Sequence, residues 1–228
     1  MKRIYTIITG LCVLAISAYA QTNEQTRNLD NFEAVSVGES IQVTLVQGEK
    51  NEAVVMTDGV SVDKVLTEIK GNTLNIHMDR GSYGSQSVDV VLTYSEDLRE
   101  IRCSSSAVVK SASEIESNEL YVQCSSSGTM ILILDVERLK LEVSSSGKVT
   151  LSGEVSTQDI EVSSSGKYHG VNLKSKGARV KVSSSGKATV DVSRELSATV
   201  SSSGKVTYHG DPETVDIDTS SSGKVHKG

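Results

Sequence analysis

Hydrophobic and polar residues alternate along most of this chain, and runs of serine interrupt the alternation at regular intervals. Upstream of the runs the pattern reads Leu141-Glu142-Val143, Ile160-Glu161-Val162, Val180-Lys181-Val182 and Ile217-Asp218-Thr219. Downstream it resumes as Val149-Thr150-Leu151 or Ala188-Thr189-Val190-Asp191-Val192. A period of two with β-branched residues predicts strands. The interruption is Ser-Ser-Ser-Gly-Lys, present as Ser144–Lys148, Ser163–Lys167, Ser183–Lys187, Ser201–Lys205 and Ser220–Lys224. Degenerate copies stand at Ser125–Thr129 and Ser104–Ala107, and first serines follow one another at 21, 19, 19, 20, 18 and 19 residues.

A repeat near 20 residues predicts a solenoid, and it is too short for strands plus a crossover helix. The pattern of leucine-rich repeats and a six-residue sub-period are both missing. The predicted fold is therefore all-β: a single-stranded right-handed parallel β-helix of about 19–20 residues per coil, its strands stacked about 4.8 Å apart.

Parity gives the serines a predicted role. If Val143 points inward, strict alternation sends Ser145 inward too. Ser105, Ser126, Ser145, Ser164, Ser184, Ser202 and Ser221 would then form an internal hydroxyl ladder, each donating to one neighbour and accepting from the other. Gly128, Gly147, Gly166, Gly186, Gly204 and Gly223 would serve as corners at positive φ, which costs glycine nothing. Lys148, Lys167, Lys187, Lys205 and Lys224 would stack outside. That column has two readings: a charged edge that keeps strands from pairing laterally, or a linear cationic strip for an anionic glycan or cell-surface polymer.

Upstream, the alternation starts at Phe32, with strands predicted to Gln47, at Ala53–Met56, Val60–Ile69, Thr73–Met78 and Val88–Tyr94. They carry no serine punctuation. The reading is one domain over 32–228, with irregular coils over 32–100 and the serine repeats over 101–228. Residues 21–31 are polar and read as a flexible leader. Residues 1–20 read as a signal peptide, with Lys2-Arg3, an apolar run from Ile4 to Ala18, and Ala18-Tyr19-Ala20 before the expected cut. Export to the periplasm or outer surface of a Gram-negative cell is the expected localisation, with no membrane span in the mature chain.

Removing Lys2 and Arg3 leaves 21 basic against 29 acidic residues, a formal charge of about −8. A mildly acidic chain without a basic domain argues against nucleic acid. Cys103 and Cys124 occupy the place held elsewhere by Val143 or Val162. Two buried thiols in place of valine, or an inter-coil disulfide in an oxidising compartment, both fit; directly opposed parallel strands strain the disulfide dihedral and favour thiols.

The opening Arg27-Asn28-Leu29-Asp30-Asn31-Phe32-Glu33-Ala34-Val35-Ser36-Val37, together with Val43–Gly48, Gly71–Ile76 and the reiterated Ser-Ser-Ser-Gly, resembles a family of secreted proteins. That family is described as "putative auto-transporter adhesin, head GIN domain". The resemblance spans about residues 27–228 and implies an exported right-handed β-helix with no activity, cofactor or catalytic residue to carry over. No translocator barrel follows the last repeat, so the auto-transporter part of that description finds no match here.

Enzymatic motifs fare poorly. Ser145-Ser146-Gly147-Lys148 satisfies Ser-x-x-Lys, but it recurs on every coil, whereas catalysis needs one activated nucleophile. Gly147-Lys148 lacks the hydroxyl and upstream glycine of a phosphate loop. Tyr168-His169-Gly170 and Tyr208-His209-Gly210 are candidate groove or metal residues. A polysaccharide-active β-helix, with paired carboxylates or a calcium-binding acidic cluster, is the enzymatic alternative; Glu137, Glu154, Asp159, Asp191, Glu195, Asp211 and Glu213 read as scattered. A self-assembling rod, growing from the bare coil after Lys224, is the structural one. The expectation is a non-catalytic, secreted adhesion or envelope-interaction module that sums weak contacts along its repeats.

Overall fold

A computed structural model describes residues 23–81 and 86–228. The expected signal peptide lies outside the described residues. The chain runs β1 (Asn23–Asn28), β2 (Ala34–Val37), β3 (Gln42–Gln47), β4 (Glu52–Asp58), a 3₁₀ turn (Val62–Lys64), β5 (Val65–Lys70), β6 (Thr73–Met78), β7 (Ser87–Tyr94) and β8 (Glu100–Cys103). Long strands follow: β9 (Val108–Cys124), β10 (Thr129–Val143), β11 (Lys148–Val162), β12 (Lys167–Val182) and β13 (Lys187–Val200). Then come β14 (Lys205–His209), β15 (Thr214–Thr219) and β16 (Lys224–Lys227). The architecture is a parallel β-solenoid of about 7 turns, each of roughly 19 residues. Among the described residues no helix is long and apolar enough to cross a membrane.

One coil shows how the sequence does this. In β10, Met130, Leu132, Leu134 and Val136 point inward, and Leu139, Leu141 and Val143 do so again after the outward pair Glu137-Arg138. Two adjacent outward residues reverse the parity, which makes a bend between two arms. The serine turn closes the coil at the other end. Inward residues of both arms form one continuous apolar core along the stack. The uneven repeat lengths are absorbed by bulges in the arms, between Ile131 and Ile133, Thr150 and Ser152, and Gly170 and Lys174, and the serine turns stay in register.

The N-terminal part departs from a simple succession of coils. β2 and β3 stack directly on β8 and β9, so they are the first coil of the regular series. The chain then leaves and returns. β6 and β7 stack parallel beneath β2 and β3, while β5 and β4 run antiparallel beneath them. Below those lies β1, antiparallel to β4 from Asn23↔Thr57 to Asn28↔Glu52. Residues 23–28 are thus a strand where the sequence suggested a flexible leader. Local polarity hid this, because a strand whose side chains are nearly all exposed needs none that are apolar.

Candidate functional site

The serine turns form one edge of the solenoid. In each, the two later serines have positive φ, for example Ser145 at 46° and Ser146 at 64°. The glycine N–H donates back to the first serine's carbonyl, as Gly147 N does to Ser144 O at 2.8 Å. Two central residues at positive φ and that closing bond define a type I′ turn. Such turns favour Asn-Gly, and a left-handed serine costs about 1 kcal/mol. Stacking supplies the compensation. Each third serine's N–H donates to the middle serine's carbonyl one coil on, as Ser127 to Ser145 at 3.0 Å and Ser146 to Ser164 at 3.1 Å.

This geometry corrects two expectations. Ser105, Ser126, Ser145, Ser164, Ser184, Ser202 and Ser221 are exposed rather than an inward ladder. Two successive left-handed residues break the strand alternation, so parity read from Val143 does not carry through; the inward place falls to buried Gly147 instead. Nor do Gly128, Gly147, Gly166, Gly186, Gly204 and Gly223 have positive φ, which the serines take over. Glycine stands there because the coil before it is too close. A Cβ on Gly147 would lie 2.6 Å from Cys124 O, and one on Gly166 2.7 Å from Val143 O.

The structure adds a turn that the serine motif concealed. Gly38-Glu39-Ser40-Ile41 has Glu39 and Ser40 at φ 62°, and Ser40 N donates to Ser105 O at 3.0 Å. The signal was available in the apolar spacing: Val37, Ile41, Val43 repeats the spacing of Cys103, Ala107, Val109.

Beside the serines, Lys148, Lys167, Lys187, Lys205 and Lys224 lie in strict register on successive strands. All five are exposed. Other lysines make ion pairs, such as Lys140–Glu142, Lys174–Asp191 and Lys181–Glu161; among the described residues, none of the column does. Five cations at about 4.8 Å repel one another, and no acid among the described residues pairs with them.

The opposite edge, at the bend, carries grooves, two of which gather charged residues from several coils. One of about 590 Å³ is lined by an outward row including Arg138, Thr157 and Gly177 and a second including Tyr121, Lys140, Asp159 and Arg179. Lys140 Nζ lies 5.0 Å from the centre of the Tyr121 ring. The other, about 400 Å³, is acidic, with Asp97, Glu116, Asp135, Glu137 and Glu154 in its lining. Glu137 and Glu154, which read as scattered in sequence, are brought together because Glu116, Asp135 and Glu154 share one register position. Among the described residues, no three His, Cys, Asp or Glu side chains are placed to share a metal ion.

Beneath the grooves lies a buried polar network. The Tyr168 hydroxyl donates to Gln158 Oε1 at 2.9 Å, Gln158 Nε2 donates to Ser175 Oγ at 2.8 Å, and Ser175 Oγ donates to Asp191 O at 2.7 Å. Tyr168, a groove candidate in sequence, is a core residue at 1 % exposure. Its ring occupies the space beside Gly170, where a Cβ would lie 2.2 Å from the phenol oxygen. His169 is exposed and His209 half-buried, each on its own coil. Cys103 and Cys124 pair in register as buried, unlinked thiols, with Cys103 Sγ donating to Ala107 O at 3.2 Å. The hydrogen bond with Cys124 and burial push the Cys103 thiol well above its ordinary range.

Burial raises the phenol of Tyr168 far above its ordinary value and that of Tyr94 to about 12. Both groups hold their protons more tightly folded than unfolded. Their contribution is therefore fully present below the unfolded value near 10 and is lost as pH rises above it. We expect the urea midpoint to hold to about pH 10, then fall by about 1.4 kcal/mol of stability per pH unit for each buried tyrosine. Replacing Tyr168 by Phe should make the alkaline fall shallower; an unchanged slope would show that this phenol does not titrate with unfolding.

The fold and its edges define a class: a parallel β-solenoid with a repeated polar, cationic edge. Within it the chain belongs to the family "Putative auto-transporter adhesin, head GIN domain", whose model matches residues 31–212. No curated protein matches the chain. Among solved structures, a putative adhesin from Bacteroides fragilis superposes with a TM-score of 0.82 at 15 % identity, covering 92 % of this chain and 98 % of that one. A putative adhesin from Parabacteroides merdae gives 0.73 at 19 %, covering 91 % and 96 %. A structure named as a putative lipid binding protein from Parabacteroides distasonis gives 0.67 at 21 %, covering 90 % and 97 %. At these identities the likeness establishes the shared fold.

Proposed function

We propose that this protein is a non-catalytic adhesion or cell-envelope interaction module, exported from a Gram-negative cell, that binds an anionic glycan or surface polymer along its serine–lysine edge. The observation that carries this reading is the same pair of exposed left-handed serines on coil after coil, at positions where the backbone favours Asn-Gly. Strain kept at an exposed site points to function. The lysine column beside it forms no ion pair among the described residues, so an anionic polymer laid along the axis would relieve the repulsion at every coil. Each contact is weak and exposed; their sum along one ligand supplies affinity. The family's description as an adhesin supports the same reading.

The test is retention on an immobilised acidic polysaccharide across a salt series. The parent should be retained at low salt and released as salt rises through the physiological range. Lys148, Lys167, Lys187, Lys205 and Lys224 changed together to Gln should lower affinity at least tenfold. Equal retention of both proteins at every salt concentration removes the strip. The acidic groove at the bend favours a second reading, a polysaccharide-active β-helix. Shortening of the polymer during the same assay, lost when Asp135 and Glu154 become Asn and Gln, would move the function there.

A further inference from the structure

The two ends of the solenoid differ. At the N-terminal end β1 covers one arm with an all-polar strand, and Arg27 reaches the other. Its guanidinium donates to Val65 O at 2.6 Å and to Val62 O at 3.0 Å, so two acceptors at the start of that arm are already taken. Among the described residues, nothing covers the C-terminal coil in the same way. Val215 and Ile217 continue the core positions of Leu196 and Ala198, yet each is 42 % exposed where their predecessors are buried. One side of β15 and of β16 also keeps unpaired backbone groups, a template for strand addition.

The geometry points to a second copy of this chain as the occupant, in a closed two-fold dimer that places β15 of one protomer on β16 of its partner. Charge selects this arrangement. The outward residues of β15 are Asp216 and Asp218, and those of β16 are Lys224 and His226. β15 on its own copy would set carboxylate against carboxylate, which is unfavourable. The turn closed by Gly223 N to Ser220 O at 2.8 Å reverses the chain, so β15 and β16 run in opposite directions. A two-fold axis along the strands therefore lays β15 antiparallel on the partner's β16. The register that opposes Ile217 to Val225 buries both and brings Asp218 to Lys224 and Asp216 to His226. A one-residue slip would turn apolar side chains outward.

Two consequences follow from that axis. A two-fold contact uses the C-terminal end of both protomers, so the assembly stops at two and is not a growing rod. The serine turns of both protomers also fall on the same side, joining into one edge of twice the length. That second consequence rests on the binding role proposed above; the dimer itself does not.

Sedimentation velocity on the full chain, from the low-micromolar to the high-micromolar range and without glycan, tests the dimer. The parent should pass from monomer to dimer and stop there. Asp216→Lys with Asp218→Lys should weaken dimerisation at least tenfold, as should Lys224→Asp with His226→Asp. An equimolar mixture of the two variants should restore the dimer, since each then meets opposite charge; this also shows that both variants fold. A parent that stays monomeric throughout, variants that still self-associate, or species that grow beyond two overturn the proposal. A monomeric result leaves the edge-binding reading intact, because retention on the polymer is measured separately.

Discussion

Replacing Gly147 by Ala should lower the unfolding free energy by about 3 kcal/mol, at the upper end of what overpacking a close-packed site costs. The added methyl would meet Cys124 O at 2.6 Å and Cys124 C at 2.9 Å. These are backbone atoms of the preceding coil, and ladder hydrogen bonds fix that coil on both sides, including Ser144 N to Cys124 O and Lys148 N to Gly128 O. Neither coil can move away without breaking its ladder. Gly177→Ala is the contrast. It sits on the bend with its nearest neighbour, Thr157 Cγ2, at 3.6 Å, so the substitution should change stability by less than about 0.5 kcal/mol. Urea unfolding of both variants beside the parent measures the difference. If the two glycines respond alike, the close stacking at the serine turns is wrong.

Tyr168→Ala should cost about 3–5 kcal/mol, the usual range for deleting a large buried ring. The cavity would open beside Gly170 and Ala188, neither of which has the bulk to fill it. Tyr168→Phe isolates the hydroxyl. It keeps the ring but leaves Gln158 Oε1 without its donor, and a buried acceptor left unpaired costs about 1–3 kcal/mol. The coupling should be visible in a double-mutant cycle: with Gln158 already changed to Leu, losing the hydroxyl should cost measurably less. Strict additivity of the two substitutions would mean that the bond seen between them contributes nothing.

Some features of this chain follow from local pattern and others from contacts far away in sequence. The alternation in segments such as Leu139–Val143 correctly marked inward and outward residues, because a strand with one face in the core has a period of two. It failed at Ser145, where two left-handed residues break the period, and at Glu137-Arg138, where a bend does. Glycine at 147 meets a spatial requirement, not the conformational one that its place after the serines suggests. The polar network joining Tyr168, Gln158 and Ser175 was invisible, since its members lie 10 and 17 residues apart and meet only when successive coils are stacked.

The amino-acid sequence alone determined the repeat, the strands and the in-register lysine column, because each depends on a period that local residues impose. Tertiary stacking decided which serines face water, why glycine follows them, and how acids scattered in sequence gather at the bend. Those features depend on the distance to another coil. No pattern within a single repeat encodes that distance.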